Sequence, residues 1–189
     1  MYIVNNTRAT ENIIYGQTNT NIGGLYVQSA IAENNEVYGN YDGIWSHYSS
    51  HSTIINNRSY NNTRFGIAAY NSSSIADNVV YSNSIGIQIL QWQRFSGSIV
   101  NNLVYANSNH GIIVDYAGNK GRVVNNTVYQ EIGDALRVQG NSQNLWVHNN
   151  ILWVTAGYAI NVHNNSQTGF NSDYNLIYTT GTGLLGSWN

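Results

Sequence analysis

His47, Tyr70 and Arg94 are the residues whose types and spacing best suit chemistry. A histidine can take a proton, a tyrosine can return one, and an arginine can neutralise a carboxylate beside the reacting carbon. Together they suit an elimination, with His47 as base, Tyr70 as acid and Arg94 as neutraliser. Tyr26, Trp45, Tyr48, Trp92, Asp115 and Arg137 are the candidates for binding a substrate. Each group also has a plainer reading. A surface histidine beside a tyrosine can simply stack, and Asp115 with Arg137 can form an exposed ion pair worth less than ~1 kcal/mol.

Whether these residues meet depends on a repeat. Asn12-Ile-Ile-Tyr15, Asn35-Glu-Val-Tyr38, Asn57-Arg-Ser-Tyr60 and Asn78-Val-Val-Tyr81 align. Asn102-Leu-Val-Tyr105, Asn126-Thr-Val-Tyr129, Asn150-Ile-Leu-Trp153 and Asn175-Leu-Ile-Tyr178 continue the series. The Asn positions differ by 23, 22, 21, 24, 24, 24 and 25 residues. After each copy comes an alternating segment such as Gly43-Ile-Trp-Ser46, Gly66-Ile-Ala-Ala69 or Gly111-Ile-Ile-Val114, with Ala replacing Gly at Ala135 and Ala159. A third apolar segment precedes the Asn, as in Ile54-Ile55 and Ile99-Val100. Each period therefore holds three short strands and three turns.

Such a period is one coil of an all-β, right-handed, three-faced parallel β-helix. About eight rungs would stack with each strand roughly 4.8 Å from its equivalent. Alternation turns Ile14, Val37, Val80, Val104, Val128, Leu152 and Ile177 inward, together with Leu25, Ile44, Ile67, Ile87, Ile112, Leu136 and Ile160. Ser59 falls in the same inward column, which predicts a core defect or a buried hydrogen bond. The Asn column fits a tight bend, each amide bonding its turn and the next Asn, and Asn40, Asn62, Asn83 and Asn107 mark a second such corner. A leucine-rich repeat has a similar period, but the apolar positions here are mostly Ile and Val, and no helical segment completes the repeat.

On this fold His47 and Tyr70 are neighbours in one outward column, with Arg94 on the following rung. Asp115 lies three rungs from His47, about 14 Å, so the two pairs form no single compact site. Tyr15, Tyr38, Tyr60, Tyr81, Tyr105, Tyr129, Trp153 and Tyr178 form a separate outward aromatic column. Its plain reading is a stacking ladder, and its sharper one is a docking face for a neighbouring domain or another copy.

Composition removes several classes. Charged residues make up 8% of the 189 residues, the net charge is −2, and seven scattered Lys and Arg make no basic stripe for nucleic acid. There is no cysteine, which excludes disulfides and thiol catalysis, and no apolar run long enough for membrane insertion. His47, His51, His110, His148 and His163 fall on different rungs, a poor set for a metal, and no cofactor is expected.

The pattern Ile-x-Asn-Asn-x-[Ile/Val]-Tyr-x-Asn, followed by Gly-Ile-x-[Val/Ile/Leu], resembles the parallel β-helix repeats of the pectate-lyase-like superfamily. The run from Ser172 to Tyr178, then Gly186-Ser187-Trp188-Asn189, resembles the last rungs of large secreted bacterial β-helix proteins. The resemblance implies a single β-helix domain over 1–189, truncated at both ends, with its signal peptide on a missing part. It implies an extracellular or cell-surface protein that binds or processes a linear polysaccharide, acidic or neutral. If this segment were an enzyme, His47, Tyr70 and Arg94 would make it a polysaccharide lyase. Other signatures of that superfamily are missing: Asp42, Asp77, Asp115, Asp134 and Asp173 are scattered rather than clustered for calcium, and no Asp-Pro-His-Glu run occurs. The alternative is a structural or adhesive spacer of a large surface protein. The varied side chains at Trp45, His47, Tyr70 and Trp92 favour glycan binding over a spacer, while the want of a compact catalytic set weighs against catalysis by this segment.

Overall fold

The computed structural model describes residues 1–20, 22–47, 51–91, 93–118 and 120–188. Tyr48, Trp92 and Asn189, named above, lie outside the described residues. The chain visits three parallel sheets in strict rotation. Sheet A has nine strands, from Tyr2–Val4 to Leu184–Trp188. Sheet B has eight, from Arg8–Thr10 to Asn171–Asp173, and sheet C has eight, from Ile13–Tyr15 to Leu176–Thr179. One strand from each sheet makes a rung, so the described chain forms eight rungs and opens a ninth. Among the described residues the one helical turn is a short 3-10 segment, Asn164–Ser166. No helix among the described residues is long and apolar enough to cross a membrane.

The inward columns are those read from the sequence. Ile44, Ile67 and Ile87 are register partners in sheet A, Ile54, Ile75 and Ile99 in sheet B, and Val80 and Val104 in sheet C; all are fully buried. Because no rung closes its own core, burial of these side chains is what joins rung to rung.

Turn chemistry sets the register. Asn34, Asn56, Asp77, Asn101, Asn125 and Asn149 each precede a ladder Asn and adopt φ between 54° and 57°. Asn and Asp tolerate this left-handed conformation best among residues with a side chain. The ladder Asn then faces inward. Asn102 Nδ2 donates to Asn126 Oδ1 at 2.9 Å and to the Val100 and Ile75 carbonyls at 3.0 Å. Its Oδ1 accepts from the backbone N–H and Nδ2 of Asn78, both at 3.0 Å. The same exchange runs from Asn12 to Asn175. The second ladder passes through Asn40, Asn62, Asn83 and Asn107, and then to Gln130, which sequence reading had not placed there.

Several sheet A strands carry a glycine whose Cβ would point into the core. A Cβ on Gly66 would lie 2.4 Å from Val80 Cγ1 and 2.7 Å from Asn83 Nδ2, so this position points into the core beside Ile67. The residue before the glycine is thereby turned outward. Ser59 makes the buried hydrogen bond allowed for it: its hydroxyl donates to the Gly66 carbonyl at 2.7 Å and accepts from Asn62 Nδ2 at 3.2 Å. On sheet C, the rings from Tyr15 to Tyr105 stack near-parallel at 4.9–5.4 Å. Trp153 tilts by 49° on Tyr129 and meets Tyr178 edge-on.

Candidate functional site

The outer face of sheet A carries three side-chain columns. One is the column before the glycines: Asp42, Phe65, Ile85, His110, Asp134 and Tyr158. The next is Tyr26, Trp45, Ala68, Gln88, Ile113, Arg137 and Asn161, in register. The third contains Gln28, His47, Tyr70, Asp115 and Gln139. Outward does not mean exposed here: Ala68, Gln88, Ile113 and Asn161 are buried.

On rungs 2 to 4 the face is aromatic. Tyr26 stacks on Tyr2 at 4.6 Å, and the His47 ring lies 5.7 Å from Tyr26. Trp45 packs against Phe65 and Tyr70, at 6.2 and 6.1 Å. Arg64 holds this group together. Its guanidinium grips Asp42 through two bonds, 2.8 and 2.6 Å, and lies over the rings of Tyr41, Trp45 and Phe65. Burial pushes the Tyr70 hydroxyl above its ordinary pKa, with Arg64 opposing and Asp42 reinforcing the shift. Burial also lowers His47. Arg94 does not complete the expected trio. Its guanidinium reaches up the solenoid to the Ala117 and Asn141 carbonyls, both at 3.3 Å, and lies over Tyr116. Two carbonyls and a ring face hold the cation there.

On rungs 5 to 8 the face is a connected polar network. Gln91 Nε2 donates to Asp115 Oδ1 at 2.7 Å, and Gln139 Nε2 donates to Asp115 Oδ2 at 3.3 Å. Arg137 Nε donates to Gln139 Oε1 at 2.7 Å. Asp115 and Arg137 thus form no direct ion pair; Gln139 stands between them. The carboxylate that Arg137 meets is Asp134, at 3.6 Å on its own rung. Asp134 is buried and takes further bonds from the Tyr158 backbone N–H and Asn161 Nδ2, each 2.9 Å. His110 Nδ1 accepts the Asp134 backbone N–H at 3.0 Å. Burial lowers the His110 pKa, Arg137 adds to the effect, and Asp134 partly offsets it. At the end of this network, buried Asn161 Oδ1 has no hydrogen-bond partner among the described residues.

Residues 1–98 match the family described as right handed beta helix region. The chain belongs to this family. Solved structures that share the β-helix include the A-module of the mannuronan C-5 epimerase AlgE6 from Azotobacter vinelandii. That match has 15% identity and a TM-score of 0.75, and covers 98% of this chain and 59% of that one. A mutant of the periplasmic alginate epimerase AlgG matches at 21% identity and a TM-score of 0.62, over 71% of this chain and 33% of that one. AlgG itself matches at 18% and 0.58, over 86% and 48%. At these identities the likeness is one of fold, and this β-helix spans between a third and three-fifths of those chains. No curated protein matches it.

Sequence reading of the β-helix picked Arg137 and Asp115 but passed over Asp134, His110 and Asn161 as site residues. The signal was present in the repeat. His110 precedes Gly111 and Asp134 precedes Ala135, the position that the inward glycine column turns outward. Among the described residues, no group of three His, Asp or Glu converges to hold a metal. The network instead offers fixed polar groups: part of the Arg137 guanidinium and His110 Nε2.

Proposed function

We propose that this β-helix binds a linear acidic polysaccharide along the outer face of sheet A. The observation that carries the reading is the partly exposed Arg137 guanidinium, fixed on one side by Gln139 Oε1 and Asp134. Arg137 keeps N–H groups for a carboxylate. The aromatic rungs below, with Tyr26 and Trp45, suit the apolar faces of successive sugars. The alginate epimerases that share the fold act on a uronate polymer, which supports that substrate class.

Binding fits better than catalysis. Asp134 already accepts two hydrogen bonds and faces Arg137, so it is a fixed carboxylate rather than a free base. His110 has one ring nitrogen occupied, and Arg94 is turned away from His47 and Tyr70. The periplasmic setting named for one neighbour supports a location outside the cytoplasm. Retention of the purified chain on alginate and on neutral glucans tests the reading, with ultraviolet absorbance of unsaturated uronate ends followed in parallel. Retention on alginate without new absorbance is the expected result. Growth of absorbance, lost in Tyr70→Phe, would replace binding by a lyase activity. No retention on any glycan would favour the spacer.

A further inference from the structure

A second depression lies away from the sheet A face, at the corner where sheet A hands the chain to sheet B. It has a volume of about 350 Å³ and is lined by Ser72, Ser96, Gly97, Ser98, Lys120 and Arg122. The lining is one repeat position sampled three times. Ser98 and Arg122 are register partners, and Ser72, Ser96 and Lys120 stand two residues ahead of Ser74, Ser98 and Arg122 on rungs 4, 5 and 6. Hydroxyls on the lower rungs thus lead to two cations on the upper one. Gly97 forms the floor, where a Cβ would meet the Ser73 carbonyl at 2.1 Å.

These two cations are what the rest of the molecule leaves over. Of the seven Lys and Arg, Arg8, Arg64 and Arg137 face Glu33, Asp42 and Asp134. Arg94 bonds two backbone carbonyls, and Arg58 stands opposite Glu36 in register. Among the described residues, no carboxylate pairs with Lys120 or Arg122, and no side-chain hydrogen bond occupies the Ser96 or Ser98 hydroxyl. The Arg122 guanidinium lies over the Trp146 ring, at 5.8 Å from its centre. Lys120 is held at φ 80°, a left-handed backbone that a lysine adopts at a cost.

We infer that this corner is an oxyanion subsite for a carboxylate or sulfate ester carried on a polysaccharide chain. The Lys120 ammonium, the Arg122 guanidinium and the Ser96 and Ser98 hydroxyls match the several lone pairs of such a group. Three rungs span about 10 Å, so the hollow takes one charged sugar with part of its neighbour. The site rests on the polysaccharide reading for the chain that carries the anion, but uses none of the sheet A residues.

The test is a backbone NMR titration of the whole chain with sodium sulfate, sodium glucuronate and alginate oligomers. The expected shifts centre on Ser96–Ser98 and Lys120–Arg122. Lys120→Gln with Arg122→Gln keeps the side-chain stems and should weaken small-anion binding by about tenfold or more. A response to glucuronate alone assigns a carboxylate, and a response to sulfate alone assigns a sulfate ester. Unchanged binding of both anions in the double variant overturns the site. Oligomers that bind no tighter than glucuronate would instead overturn the polysaccharide reading, leaving the anion site standing.

Discussion

The backbone N–H of Asp134 donates to His110 Nδ1 one rung below, at 3.0 Å. This bond requires a lone pair on Nδ1, so the proton of the neutral ring sits on Nε2, facing away from the backbone. A protonated His110 would lose the bond, and burial already disfavours the charge.

The consequence for stability has a definite sign. The folded-state pKa of His110 lies below its unfolded value, so the folded chain binds fewer protons as the pH falls through the ordinary histidine range, about 6.5. Stability present at pH above that value is lost on acidification. His47 is shifted in the same direction and contributes alongside. Denaturant unfolding at neutral and mildly acidic pH should show this loss, and His110→Gln should show a smaller one. An equal loss in the variant would remove His110 from the effect.

The Asn ladder should be strongest in the middle. Asn102→Ala removes three donated bonds and the acceptor used by Asn78. Leaving these buried groups unpaired should cost about 3 kcal/mol. Asn12→Ala, at the first rung, removes bonds to Asn35 Oδ1 and the Thr10 carbonyl in a more exposed setting and should cost about 1 kcal/mol. Chemical denaturation of the two variants measures the difference.

Tyr60 gives an alkaline counterpart. Its hydroxyl donates to Glu36 at 2.7 Å, and this bond, with burial and the Glu36 charge, raises its pKa to about 12. The group is raised in the folded state, so its contribution is complete below pH 10 and is lost as pH climbs toward 12. Glu36→Gln should flatten this part of the stability profile. Ultraviolet titration of the parent and of this variant checks the shift.

The fold was legible because each of its rules is local and repeated. Asn at one corner, a left-handed residue before it and an inward Ile or Val two positions after it are set by turn chemistry and period-2 alternation. Gln130 escaped notice because it joins the second ladder from a strand end with a longer side chain in place of Asn. The site was less legible for a related reason. The outward columns of sheet A carry no repeat, so which neighbours meet there depends on side-chain reach. Arg94 is one rung above Tyr70, yet bonds to carbonyls on the two rungs above its own. Asp115 and Arg137 are adjacent in the stack, yet Gln139 intervenes and Arg137 turns to Asp134.

The most direct measurement for the central claim is the affinity of alginate oligosaccharides for the parent chain and for Arg137→Gln, titrated calorimetrically at low salt. If the Arg137 guanidinium meets a sugar carboxylate, the parent binds and the variant binds roughly tenfold more weakly, a loss of about 1.4 kcal/mol. Circular dichroism should show both folded. Equal affinity in the two proteins, or no binding by the folded parent, would contradict the account.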